Sequence, residues 1–472
     1  TNFTELAKKF DILYKLCEQQ LSKQQFYDFG LRNILSVLRT AGKTKRDNIN
    51  ADEEMLLMRT LKEMNLSKLV AQDVPLFLSL LKDLFPQIEK MPASTLNPEL
   101  NQAITKSIQN HNLIDHPSWR LKVIQLNDTV LVRHGVMLVG PSGAGKSTII
   151  SVLQDALTNS TTLPHKRIRI NPKAIRTEEM FGETDRLSGE WLNGIFAANW
   201  SKYADRTRKD MTYLILDGPV DAVWVENLNT VLDDNKLLTL ANGDRIPMTD
   251  NMRLLFEVGD LKNASPATVS RAGIIYVSAT DLDWKPILDA WINKQSHHHS
   301  SILATHLNNY LGNPQQAGEY GHAFDFIYRN TNPTLKLSRI GMVQNTLHLL
   351  SALLYTAELS ESKEDVYGEL ERLVIFAITW GIAGLLDHHD RKLWHIWLQE
   401  GPAKSNNFPH HTEILQSTII TKRKHSTTSP DTISVTSKGN LSQQHIEEPL
   451  TIFDFFVNLE TMEWEKWQPM NF

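Results

Sequence analysis

The sequence predicts an α/β core, a parallel sheet flanked by helices, set between all-α blocks. Three observations carry that reading. Short apolar runs (HGVMLVG, RIRINP, YLILDG, RLLFEV and GIIYVS) recur between residues 134 and 278, separated by helical stretches, as in a parallel sheet covered on both faces. The first run enters a glycine-rich turn, GPSGAGKST, and then a helix-forming stretch, STIISVLQDAL. Residues 1–90 and 284–400 repeat apolar residues at three- and four-residue spacing and read as all helix.

A chain of 472 residues exceeds one hydrophobic core and implies two or three domains. Hydrophobic residues at 41% and charged residues at 22% are an ordinary soluble composition. The formal charge of −5 gives no reason to expect a nucleic-acid partner or an anionic membrane surface. The single cysteine, Cys17, excludes an internal disulfide framework and points to a reducing compartment. The longest apolar run, LVIFAITWGIAGLL, has 14 residues where a bilayer span needs roughly 20, so residues 373–386 read as a buried core helix and no membrane partner is expected. The start, TNFTELAKKF, lacks a methionine and is already helical in period, which reads as an excerpt from something larger.

In chain order, FDILYKLCEQQL and FGLRNILSVLRTAG are amphipathic helices, the second ending on Gly42. EEMLLMRTLKEMN and VPLFLSLLKDLFP follow, Pro86 closes the block, and MPASTLNPELN marks a boundary near residue 95. Two hairpins interrupt the core: LTLANGDRIPM turns on Asn242-Gly243, and MFGETDRLSGEWLNG, a weaker one, ends near Gly189. LKLSRIGMVQNTLHLLSALLYTAEL and LERLVIFAITWGIAGLLDHHDRKLWHIWLQE are the strongest helical periods of the later block. Residues 421–449 are polar and Ser/Thr-rich and read as a mobile loop, and FDFFVNLETMEWEKWQPMNF closes the chain as a strand pair.

The turn GPSGAGKST fits G-x-x-x-x-G-K-[ST] in strand–loop–helix context. Its residues Gly140, Pro141, Ser142, Gly143, Ala144, Gly145, Lys146, Ser147 and Thr148 are the candidate phosphate cradle, whose backbone N–H groups curl round a β-phosphate. Lys146 would reach the β- and γ-phosphates of ATP. Ser147 would ligate Mg2+, with Asp217, at the end of YLILD, as the second magnesium ligand, directly or through water. The bland alternative for Asp217 is a helix N-cap. His297–His299, His388-His389 and His410-His411 lack the paired spacing of a closed metal site and read as solvated loops. Trp394 and Trp397 read as core or interface.

The cradle, LILDGPVDAVWVENLNTVLDDNKLLTLANGDRIPM and NASPATVSRAGIIYVS together resemble the dynein heavy chains, specifically the second AAA+ module of their motor ring. The resemblance implies an AAA+ P-loop NTPase core with all-α lid subdomains. It divides the chain into residues 1–95, the lid of the first module and a connector; 96–283, the large α/β subdomain; 284–420, the second module's lid; 421–449, the loop; and 450–472, the lead-in to a third module. DGPVDAVWVENLNTVLDDNK with LTLANGDRIPM is similar to axonemal, outer-arm heavy chains rather than cytoplasmic ones. Implied partners are the neighbouring AAA+ modules of the same heavy chain, other dynein subunits and, through the parent motor, the microtubule. The implied location is the cytoplasm and cytoskeleton, in the axoneme of a cilium or flagellum.

Hydrolysis needs a residue beside the magnesium aspartate that orients or deprotonates water, and here that position is Gly218. A positioned base is worth about 10²–10⁴ in rate, so glycine predicts a large loss. The resemblance also puts Asp260 where many relatives carry a polar sensor Asn. Glu226 is the nearest rescue candidate, and its plainer reading is a solvated helix face. The module therefore reads as an ATP-holding one, with a slowly hydrolysing regulatory ATPase as the alternative; a small-metabolite kinase explains only the cradle. In AAA+ rings an arginine in the position of Arg271 reaches across to the γ-phosphate of the neighbour, here the first module. Arg32 matches that module's own sensor arginine, and Arg339 is the matching lid position for the second. Local pairing is the plainer alternative for Arg271, and a surface helix position for Arg339.

Overall fold

The computed structural model describes residues 3–47, 49, 52–86, 98–161, 163–233, 235–312, 322–335, 337–360, 362–401, 403, 407–409 and 450–468. The boundary near residue 95, His410-His411 and the loop at 421–449 lie outside these. The chain divides into two compact units, residues 1–286 and 287–472.

The first unit opens with four helices, Phe3–Gln20, Leu31–Asp47, Glu53–Leu66 and Val74–Leu84. Their apolar stripes close on Leu13, Cys17, Val37, Leu61, Phe77 and Phe85, all almost fully buried. Burial pushes the Cys17 thiol up to about 12, so it behaves as a small apolar side chain. The second helix does not stop at Gly42 but runs on to Asp47. A single mid-helix glycine costs only about 1 kcal/mol, and Lys45 and Arg46 in the last turn complement the negative helix end.

The α/β core is a five-stranded sheet in the order β2-β5-β8-β1-β9, built from β1 (Gly135–Val139), β2 (His165–Ile170), β5 (Met211–Asp217), β8 (Met252–Val258) and β9 (Gly273–Tyr276). All four pairings are parallel. β1 is buried along its whole length, which explains why its sequence is a continuous apolar run rather than an alternation. The two hairpins stand outside the sheet: β3 (Gly182–Thr184) with β4 (Trp191–Asn193), and β6 (Leu237–Thr239) with β7 (Arg245–Pro247). The turn of the second carries Gly243 at φ 90°, a conformation that glycine adopts without strain.

The second unit packs helices His297–Leu311, Ala323–Asn330, Arg339–Thr356, Lys363–Gly381 and His388–Glu400, followed by the antiparallel pair β10 (Phe455–Val457) and β11 (Trp464–Lys466). The apolar run at 373–386 is buried at Leu373, Val374, Ile378 and Ile382, but its helix ends at Gly381 and a 3-10 turn, Ala383–Leu385, follows. Among the described residues no helix is long and apolar enough to cross a membrane. Trp394 and Trp397 are buried with ring centroids 4.8 Å apart.

His395 ties the last helix to the closing hairpin, its Nδ1 accepting from the Ile452 amide at 3.0 Å. Burial, opposed by Asp454, pushes its pKa down to about 4. The folded state therefore holds His395 neutral while the unfolded chain takes up a proton near pH 6.5. Its stabilising contribution is complete above pH 6.5 and falls away, by about 3 kcal/mol, as the pH drops from there through 4. Denaturant unfolding of this unit across that range is expected to show the slope, and His395→Asn is expected to flatten it.

Candidate functional site

The cradle joins the end of β1 to the helix Lys146–Thr161. Its glycines are required by geometry: Gly143 and Gly145 have φ 83° and 86°, and a Cβ on Gly140 would lie 2.1 Å from the Val277 carbonyl oxygen. The backbone can therefore bend closely enough to turn its N–H groups inward at a helix N-terminus, the arrangement that binds phosphate. Lys146 Nζ is held by the loop itself, donating to the carbonyls of Gly140 at 2.6 Å and Pro141 at 2.9 Å. Burial lowers the Lys146 pKa, and Glu257 and Asp217 act against that.

Asp217 ends β5, as the sequence predicts, and is not a helix cap; the cap of the following helix is Asp221. Around Asp217 the structure adds two residues that the sequence reading missed. Asp217 pairs in register with Glu257, and Arg169 pairs with Ile215. Because strand side chains alternate, Arg169, Ile215, Asp217 and Glu257 share one face. Ile215 packs there with Ile149, Ile150 and Leu153 of the cradle helix.

Glu257, 3% exposed, accepts from Ser147 Oγ at 2.6 Å. Arg169 donates from one Nη to Asp217 at 2.7 Å and to Glu257 at 3.1 Å. Its other Nη lies 2.9 Å from the second Glu257 oxygen as an ion pair. Burial works against the Arg169 charge, but its bonds to Asp217 and Glu257 outweigh that and hold its pKa above the ordinary value. A signal for Glu257 was present, since a charge between Phe256 and Val258 in an apolar run must find a partner.

Asp260 lies beyond the end of β8, exposed, its carboxylate accepting from the Lys262 amide at 3.0 Å. The acid that β8 brings to the cradle is Glu257 instead. Glu226 is exposed on a 3-10 turn. Gly218 has little room above it: an added Cβ would lie 3.0 Å from Asn171 Oδ1 and 3.2 Å from Pro172 Cδ.

The residues present fit a magnesium nucleotide. The bent loop offers backbone donors, Lys146 stands at the helix start, and Ser147 and Asp217 share a neighbour in Arg169. A magnesium ion is usually held by one or two protein oxygens together with substrate phosphates and water, and Ser147 and Asp217 are the two side chains that would supply them here.

Two candidate arginines meet away from the cradle. Arg271, ending the helix Pro266–Arg271, places Nε 2.7 Å from Asp233 Oδ1 and donates to the Ala267 carbonyl at 2.8 Å. Arg32 donates to Ser270 Oγ at 3.1 Å and lies 3.7 Å from the same Asp233 oxygen. Arg339, in the second unit, begins a helix capped by Ser338, lies 3.9 Å from Asp325, and sits over the rings of Phe324 and Tyr328.

Three family models match: the hydrolytic ATP binding site of the dynein motor region over residues 1–147, an AAA domain of the dynein-related subfamily over 135–272, and the dynein heavy chain AAA lid domain over 319–469. The chain is 45% identical to dynein axonemal heavy chain 8 of Mus musculus over 401 residues, 85% of this chain and 8% of that one. It is 42% identical to the dynein gamma chain, flagellar outer arm, of Chlamydomonas reinhardtii over 464 residues, 98% of this chain and 9% of that one. Identity to the ciliary dynein beta chain of Heliocidaris crassispina is 38%, over 80% of this chain and 8% of that one. The chain thus spans about a tenth of the length of the curated relatives it matches. A parallel AAA core with a nucleotide cradle, a lid match and these identities lead to one conclusion: the chain belongs to the dynein heavy chain family, among its axonemal members.

Proposed function

We propose that this segment is the second AAA+ module of an axonemal motor ring, that it holds Mg2+-ATP with little or no hydrolysis, and that it lends Arg271 to the neighbouring module's active site. The bound nucleotide stabilises the ring. Held at about 1,000 times its dissociation constant, a ligand contributes roughly 4 kcal/mol to the bound form, which needs no chemistry. In the parent motor the module serves microtubule-based movement in cilia or flagella, beside its neighbouring modules and other dynein subunits. Arg32 is assigned to the first module's nucleotide and Arg339 to this module's own.

The observation that carries the non-hydrolysing reading is the pair of positions beside Asp217. Gly218 presents no side chain and has little space for one. Glu257, the acid in register with Asp217, has both oxygens facing Arg169 and one also bonded to Ser147. A carboxylate so engaged is poorly placed to take a proton from water. The rival reading, slow regulatory hydrolysis, would have to free Glu257 from these bonds or bring in Glu226.

The test exchanges labelled ATP into the full-length heavy chain and acid-extracts the nucleotide after prolonged incubation. Lys146→Ala identifies the label belonging to this site. Label remaining as ATP is the expected result; steady conversion to ADP at this site overturns the proposal.

A further inference from the structure

One nitrogen of Arg169 lies 2.7 Å from Asp217, 3.1 Å from Glu257 and 3.4 Å from Ser147 Oγ. Asp217 and Ser147 are the two residues assigned to magnesium, so a permanent positive charge already lies against both. We propose that Arg169 and Glu257 set the magnesium dependence of nucleotide binding in opposite directions. Arg169 acts as a built-in cation that competes with the metal, and Glu257 as the positioning residue that prepares Ser147 for it. This rests on the nucleotide-binding reading of the cradle.

The chemistry of each side chain supplies the sign. A guanidinium keeps its charge at any physiological pH and presents several donors in a fixed fork. Two cations near the same oxygens repel, so Arg169 raises the magnesium concentration that the site needs. The same charge offsets nucleotide phosphate when metal is scarce. Glu257 adds negative charge favouring a divalent ion. By accepting the hydrogen bond from the Ser147 hydroxyl at 2.6 Å, it also turns that oxygen's lone pairs away from itself, where the long contact from Arg169 at 3.4 Å is the one that a metal would displace. Magnesium demands closely placed oxygens in near-octahedral order, so the orientation of one hydroxyl matters.

The arrangement is built by the sheet. Arg169 is on an edge strand, two positions along the shared face from the level of Asp217, and must extend over β5 to reach Glu257 on β8. A shorter cation would not make the same fork to two carboxylates.

The experiment uses the full-length heavy chain loaded with a fluorescent ATP analogue and titrated with magnesium chloride from an EDTA-chelated start. Only the signal abolished by Lys146→Ala is counted. Arg169→Gln is expected to lower the half-saturating free magnesium at least tenfold and to lose the analogue faster in EDTA. Glu257→Gln is expected to raise the half-saturating value about tenfold, since it removes a full charge bonded to Ser147, one of the residues that would hold the ion, in a partly screened site. Arg169→Lys, which keeps the charge but cannot make the fork to both carboxylates, is expected to fall between wild type and Arg169→Gln. Wild-type loading at saturating magnesium shows that each variant is folded. Shifts in the same direction, shifts under twofold, or loss of the analogue at every magnesium concentration overturn the inference. Absence of any Lys146-dependent signal in the wild type instead overturns the nucleotide reading itself, and with it this inference.

Discussion

Replacing Arg271 by alanine in the full-length heavy chain is expected to slow ATP hydrolysis at the neighbouring module by about 10³–10⁵, while labelled ATP stays in this module's cradle. The size follows from what a trans arginine does: it meets charge that develops on the transferring phosphoryl group, in a site from which water is largely excluded. The local alternative, in which Arg271 only anchors a helix end through Asp233, gives a different pattern. Its side chain is 17% exposed and its ion pair is short, yet the loss of a local pair changes stability modestly and chemistry little. Asp233→Ala separates the two. It removes the same ion pair and leaves Arg271 in place. Under the trans reading Asp233→Ala retains most of the neighbour's hydrolysis whereas Arg271→Ala does not. Equal effects of the two substitutions, both small, would return Arg271 to a structural role. Because Arg32 lies against the same Asp233 oxygen, Asp233 is not left uncompensated when Arg271 is removed.

Trp200→Ala is expected to destabilise the α/β core by about 3–5 kcal/mol. Trp200 is fully buried, packs its ring 5.5 Å from that of Phe196, and donates its indole N–H to the Ile246 carbonyl at 3.3 Å. Truncation leaves a large cavity and removes a partner of a carbonyl on β7, so the second hairpin loosens first. Amide hydrogen exchange in the full-length chain is the direct measurement: protection in β6 and β7 is expected to fall by about two to four orders of magnitude. Trp200→Phe keeps much of the volume and is expected to cost less than half as much. A loss confined to Trp200's own helix would mean that the hairpin is held by its turn and ladder alone.

Much of the architecture was legible because its causes are local. Five apolar runs gave the five sheet strands, Asn242-Gly243 gave a tight hairpin, and the spacing of Gly140, Gly145, Lys146 and Ser147 gave the cradle. The reading erred where local cues compete with packing. Gly42 reads as a helix stop, but the helix Leu31–Asp47 runs through it because one glycine is cheap against a buried face. Asp260, which the resemblance puts near a sensor position, lies exposed beyond the end of β8, and the acid that β8 sets against Ser147 is Glu257.

By itself the sequence determined which segments form the sheet strands and the main helical blocks, where the glycine-rich loop lies, that Asp217 ends its strand, and that Gly218 brings no base beside it. Each follows from spacing along the chain. The tertiary structure alone decided which strands are neighbours, and therefore that Arg169, Asp217, Glu257 and Ser147 form one charge cluster and that Arg32 and Arg271 share Asp233. Those contacts join residues far apart in the chain, and only sheet order and register bring them within hydrogen-bonding distance.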